Sequence, residues 1–186
     1  MKAKKIVAIM ASVLASLCLI AVIVSAFIPK DYGFKVAEPQ SVTIYVNGTK
    51  NGTNYAKGDK VYNEIMGRYN NGFKVSHMVA FFQGKAFSNV VTLDNTKNIS
   101  SETSGNNGIY IELHYGEDQN VDLHGANLQL ASNEKTFRSL VIEVKDSARL
   151  THINAYLLGA DTRVSFISYS SYACHADLYN YLSKLA

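Results

Sequence analysis

The chain has 186 residues, 47% hydrophobic and 18% charged, which supplies a folded core and excludes bulk disorder. Its net charge of +3 is carried by Lys2, Lys4 and Lys5; setting these aside leaves 15 of the 18 basic residues against 15 acidic ones. A neutral remainder with four arginines offers no nucleic-acid footprint and no polybasic patch for anionic lipid.

Residues Ile6–Ile28 (IVAIMASVLASLCLIAVIVSAFI) run 23 positions without a charge. As a helix they reach roughly 35 Å, enough to cross a hydrocarbon core of about 30 Å. The lysines before the run and the long polar remainder after it predict a single pass, N-in and C-out. The run is longer than the apolar core of a signal peptide, which favours a retained anchor. Val24-Ser25-Ala26 nevertheless has the small-residue spacing of a cleavage site, so secretion after a cut near Ala26 is the alternative. A lipoprotein role for Cys18 is disfavoured by Leu17 before it and by the ten further residues of the uncharged run after it. Ala11/Ala15 and Ser12/Ser16 form small-xxx-small pairs of the kind that lets membrane helices approach.

Three parts follow: an anchor or signal over 1–28, a linker over 29–40 and an extracytoplasmic domain over 41–186. Both prolines of the chain, Pro29 and Pro39, fall in the linker, which reads as a spacer lifting the domain off the membrane.

In the domain, Ser41–Asn47 (SVTIYVN) alternates with period 2, and the pairs Asn47-Gly48 and Asn51-Gly52 suit a hairpin with a return strand near Thr53–Ala56. Asp59 is placed to cap a helix to about Asn70, in which Val61, Ile65 and Tyr69 recur at i, i+4, i+8, with Gly72 as its stop. Extended segments are expected at His77–Gln83, Asn89–Leu93, Gly108–Tyr115, Val121–His124, Leu128–Leu130, Arg138–Lys145, His152–Leu158 and Arg163–Tyr169, with a polar loop at Asn95–Asn107. A closing helix is expected from about Tyr172 to Leu185, capped by Ser170 or Ser171. Short connections imply antiparallel pairing, so the fold class is α+β: a mainly antiparallel sheet, one helix after the first hairpin and one C-terminal helix, preceded by a transmembrane helix.

The sharpest chemical constellation is an expected hairpin of 109–115 with 121–124 across a turn at Gly116–Asn120. The register that keeps apolar side chains on one face sets His114 opposite Asp122 and Glu112 opposite His124. Glu112, His114, Asp122 and His124 form a candidate divalent-metal site, for Zn²⁺ or a similar ion. The same four side chains also read as a solvated face with two opposite-charge pairs, each worth about 0.2–1 kcal/mol. Cys174-His175 with Asp177 suggests a nucleophile, yet adjacent helical residues diverge by about 100° and Cys174 falls on the apolar face, which favours a buried, inert thiol. His77 and His152 read as strand-edge residues. Tyr156, Tyr169, Tyr172, Tyr179 and Tyr181 form either core or an interface. The sequons at Asn47, Asn51 and Asn98 mark surface glycans only in a glycosylating host. No phosphate loop, nucleophile elbow or HExxH is present.

The lysine-led anchor, the "VTIYVNG" hairpin, the "GDKVYNEIMGRYN" helix, the "IYIELHY" and "FRSLVIEV" strands and the closing helix together resemble small membrane-anchored or secreted extracytoplasmic proteins of Gram-positive bacteria. The resemblance covers most of the chain and transfers no functional residue; it implies a bacterial origin and incidental sequons. The reading leans away from an enzyme. It expects a tethered binding or accessory module whose partner is an envelope protein or small ligand, with no catalytic or cofactor-binding residue assigned. The alternatives are an envelope metal-binding protein or hydrolase using the hairpin cluster, and a sensor or regulatory ectodomain.

Overall fold

A computed structural model of the chain describes residues 2–31, 37–46, 52–76, 78–79, 91–94, 108–120, 136–159 and 164–185. Helix α1 spans Lys2–Phe27. Its most apolar window is wholly unburied, and by length and composition it qualifies as a membrane span or a signal sequence.

The domain is α+β. Strands β1 (Pro29–Asp31) and β4 (Lys74–Ser76) make a two-stranded ribbon, and seven strands make the main sheet: β2 (Ser41–Val46), β3 (Thr53–Ala56), β5 (Val91–Asp94), β6 (Ile109–Asn120), β7 (Thr136–Val144), β8 (Thr151–Leu158) and β9 (Val164–Ala173). The sheet order is β3-β2-β6-β7-β8-β9-β5, with every pair antiparallel. Helices α2 (Lys60–Gly72) and α3 (Ala176–Leu182) cover one face.

Period-2 alternation produces that face. Val42 and Ile44 of β2, Ile111 and Leu113 of β6, Leu140 and Ile142 of β7 and Ala155 and Leu157 of β8 join one buried cluster. Tyr62, Ile65, Met66 and Tyr69 of α2 and Leu178 and Leu182 of α3 close it from above. The opposite face is buried too at its centre, where Tyr110, Val141 and Tyr156 pack with the half-buried Tyr45 and Leu158.

Three expectations are corrected. First, residues 109–115 do not turn back at Gly116–Asn120. Strand β6 runs on to Asn120, flanked by β2 as far as His114 and paired with β7 to His114 and again at Gln119 and Asn120, with a register irregularity between His114 and Gln119. The polar GEDQN stretch is thus the exposed far end of a long, bulged strand, since a bulge tolerates glycine and turn-like residues without ending the pairing. Second, the linker is not a free spacer. Pro29–Asp31 pair with Ser76–Lys74. At its other end the Pro39 carbonyl accepts from Tyr62 Oη at 2.6 Å, and Gln40 N–H donates to the His114 carbonyl at 2.8 Å. Proline is admissible at a strand's first residue, where its missing N–H interrupts no ladder.

Third, Tyr172 and Ala173 belong to β9, and the last helix begins at Ala176 with His175 at its N-cap position. Strand β4 also precedes the strand expected at His77–Gln83, and Met78 and Val79 are helical. The expected strands at Val121–His124 and Leu128–Leu130, the loop at Asn95–Asn107 and the residues Asn47, Asn51, His77 and Asn98 lie outside the described residues.

Gly72 ends α2 as expected, and its packing explains why. A Cβ there would overlap the imidazole of buried His175. That ring is fixed by stacking on Tyr69 (centroids 5.4 Å apart) and by the edge of Phe73 (4.9 Å). Gly72→Ala is therefore expected to cost about 1–3 kcal/mol, as over-packing does, read as a lower urea midpoint.

The core also holds two unpaired hydroxyls. Tyr69 Oη and Tyr115 Oη are buried with no hydrogen-bond partner among the described residues. Burial pushes both phenols far above their ordinary pKa. An unsatisfied buried hydroxyl destabilises, so Tyr69→Phe is expected to leave the melting temperature unchanged or raise it, by up to about 1 kcal/mol in stability. A loss of more than that would reveal a hydrogen bond at this position.

Candidate functional site

The second face of the sheet carries a row of polar side chains across β3, β2, β6, β7 and β8. They are brought together by register: Thr43 stands opposite Asn54 and Glu112, and His114 opposite Ser41 and Ser139. Residues at i and i+2 share a face, which puts Thr43 with Tyr45 on β2 and Glu112 with His114 on β6.

The imidazole of His114 is the centre of the row. Its Nε2 lies 2.7 Å from Thr43 Oγ1 and its Nδ1 lies 3.1 Å from Ser139 Oγ. Glu112 Oε1 is 3.6 Å from the same Nδ1. Thr43 donates its own proton to Asn54 Oδ1 at 3.1 Å. With that hydrogen committed, Thr43 Oγ1 accepts from Nε2–H, and Nδ1 accepts from the Ser139 hydroxyl. The other carboxylate oxygen of Glu112 accepts from Tyr45 Oη at 2.6 Å. Burial first, then this hydrogen bond and the carboxylate charge, hold the Tyr45 phenol far above its ordinary pKa. Further along, Asn154 donates to Glu143 at 2.6 Å, and Lys145 stands 3.5 Å from the same carboxylate oxygen.

Thr43 is not set up as a nucleophile. A nucleophilic hydroxyl needs its proton directed at a base and an open approach; Thr43 is buried and its proton points to Asn54. Glu112 is buried, whereas about a third of the His114 side chain is exposed. The row therefore presents one imidazole edge, with hydroxyl, carboxylate and amide groups behind it to fix its tautomer.

Of the four candidate metal ligands, Glu112 and His114 stand side by side on β6, and Asp122 and His124 lie outside the described residues. The cross-strand partners expected for the first two are replaced by Thr43 and Ser41 of β2 and Val141 and Ser139 of β7. Among the described residues no group of three or more His, Cys, Asp or Glu side chains is placed to hold a metal ion. Sequence pattern does not single out Thr43, Tyr45 or Ser139 as site residues. Thr43 and Tyr45 share the polar side of the first strand, which is a legible signal; Ser139 needs the β6–β7 register.

The Cys174-His175 pair does not form a nucleophile. Both precede α3 and diverge: Cys174 Sγ lies 3.6 Å from the Ser147 carbonyl, beside Val75 and Leu150. His175 Nε2 donates to the Tyr69 carbonyl at 3.1 Å, inside the core. Cys174 is half-buried and off the helix on which it was expected. Of the five late tyrosines, Tyr156 is core, while Tyr179 and Tyr181 are half-buried.

A concavity of about 580 Å³ lies over α2 and is lined by Lys60, Asn63, Glu64, Arg68 and Asp177. Its arginine is already engaged. Arg68 binds Asp177 at 2.5 Å and Glu64 at 3.3 Å and lies 4.7 Å above the Tyr181 ring. It clamps α3 to α2.

Comparison of the chain with protein-family models, with known proteins and with solved structures finds no match.

Proposed function

We propose that the chain is a membrane-tethered extracytoplasmic module that binds a small ligand or an envelope protein through the polar row centred on His114. The observation that carries the tether is the bare apolar helix α1, joined through Ile28 to a strand of the domain. Lys2, Lys4 and Lys5 before it favour N-in insertion. The ordered hydroxyl, carboxylate and imidazole groups support recognition over catalysis. The expected result for protein in intact cells is a domain that external protease removes and a fraction that carbonate washing leaves in the membrane. Protection from external protease, in cells where a control ectodomain is cut, would sink the orientation.

A second reading is favoured by one observation, the adjacency of Glu112 and His114. In it the module holds a divalent metal through these two side chains. Purified full-length protein would then show a raised melting temperature on adding Zn²⁺, abolished by His114→Ala. The binding-module reading expects no shift.

A further inference from the structure

We propose that the β1–β4 ribbon seats the domain directly on the bilayer at headgroup level, with His114 held away from the membrane along the strands. The inference rests on the tether reading and adds to it a partner surface, the phospholipid headgroup layer, and a fixed presentation of the site.

Length sets the level of the ribbon. The uncharged run Ile6–Ile28 covers 23 residues, roughly 35 Å, against a hydrocarbon core of about 30 Å. Ile28 therefore ends at the edge of the hydrocarbon, where a headgroup layer of roughly 5–7 Å begins. Strand β1 starts at the next residue, Pro29. Its partner β4 lies one strand spacing away, about 4.8 Å, with Lys74 opposite Asp31 and Val75 opposite Lys30. Both strands thus stand at headgroup level. A flexible 12-residue spacer would instead have let the domain wander roughly 20 Å. Here one residue, about 3.5 Å of chain, separates the helix from the domain.

The ribbon's composition suits that level. All of β1 and Lys74 of β4 are exposed, so Lys30 and Lys74 can meet lipid phosphates. Val79, 46% exposed, lies three residues beyond β4. Asp31 offsets much of the lysine charge, so proximity comes from the covalent tether and changes little with salt.

Strand register places the polar row. Val75 packs on Leu150 and half-buried Cys174, at the end of the sheet where Thr151 pairs with Ala173. Along β8 the chain rises seven residues from Thr151 to Leu158, about 23 Å. Leu158 is level with Ser139, and Ser139 with His114. His114 and Ser139 therefore stand about 23 Å along the strands from the anchor's exit, clear of the bilayer, while Glu143, Lys145 and Asn154 lie nearer to it.

The test uses full-length protein in nanodiscs containing phospholipid with a nitroxide on its headgroup. Cys18→Ser and Cys174→Ser remove the native thiols, and a fluorophore is placed at Lys74→Cys or at Arg138→Cys. Quenching is expected to be several-fold stronger at position 74 than at 138, and nearly unchanged between low and high salt. A ten-residue Gly/Ser insertion between Ile28 and Pro29 is expected to bring position 74 down toward 138. Asn71→Cys and Glu117→Cys provide a second reporter pair should either label disturb folding. Equal quenching at both ends, or no response to the insertion, would overturn the seating while leaving the tether intact. Protein that has lost residues 1–26, shown by its mass in the expressing cell, would overturn the tether and the seating together.

Discussion

Between pH 6.5 and pH 4 the folded domain is expected to lose about 3 kcal/mol of stability through His175 alone. The ring is 7% exposed and sits between Tyr69, Phe73 and the backbone of Gly72. Burial lowers its pKa from 6.5 to about 4, partly opposed by the hydrogen bond to the Tyr69 carbonyl. That carbonyl can only accept, so Nε2 carries the hydrogen of the neutral ring. The sign follows. The unfolded chain takes up a proton on this side chain below pH 6.5, and the folded chain refuses it until pH 4. The unfolded state therefore binds more protons across the window, and stability falls as pH falls, by about 1.4 kcal/mol per pH unit. Urea titrations across the window check it. The difference between the native chain and His175→Gln isolates the residue: the variant is expected to show a flatter profile, whatever its stability at neutral pH. Parallel profiles would mean that the imidazole is solvated.

Leu113→Ala is expected to cost about 2–5 kcal/mol, more than the over-packing at Gly72. Leu113 is fully buried in β6, between Val42 of β2 and Leu140 of β7, under the helices. Neighbours fixed in two ladders cannot collapse to fill the space, so the cavity cost adds to the lost transfer energy. Glu117→Ala, on the exposed end of the same strand, is expected to stay within about 0.5 kcal/mol. The contrast is read from urea midpoints. Had β6 ended at Tyr115 as an edge hairpin, Leu113 would have one flanking strand and a smaller loss.

Much of this was legible in local pattern. The uncharged run with its lysines, the alternation of SVTIYVN and IYIELHY, and the 3.6-residue period of KVYNEIMGRYN each specify an element without outside help. Partnership was not legible. Three residues, Pro-Lys-Asp, carry no strand signal; they extend because Lys74–Ser76 lies alongside. GEDQN has the composition of a turn, yet pairing with β7 carries the strand through it. The candidate site divides the same way. Glu112 and His114 are recognisable from their i, i+2 spacing, whereas Thr43 and Ser139 enter only through registers that join residues 71 and 25 positions apart. Asp59 shows the limit at a single residue. It occupies the N-cap of α2, but its carboxylate accepts from the Ala56 N–H at 2.9 Å, closing the turn before the helix.

In the proposed arrangement helix α1 stays attached and holds the domain at the membrane. The intact mass of the protein purified from the membrane fraction of expressing cells tests it most directly. The expected species is the full-length chain, 20.5 kDa, in that fraction. A shorter product beginning at Phe27, released into the medium, would contradict it.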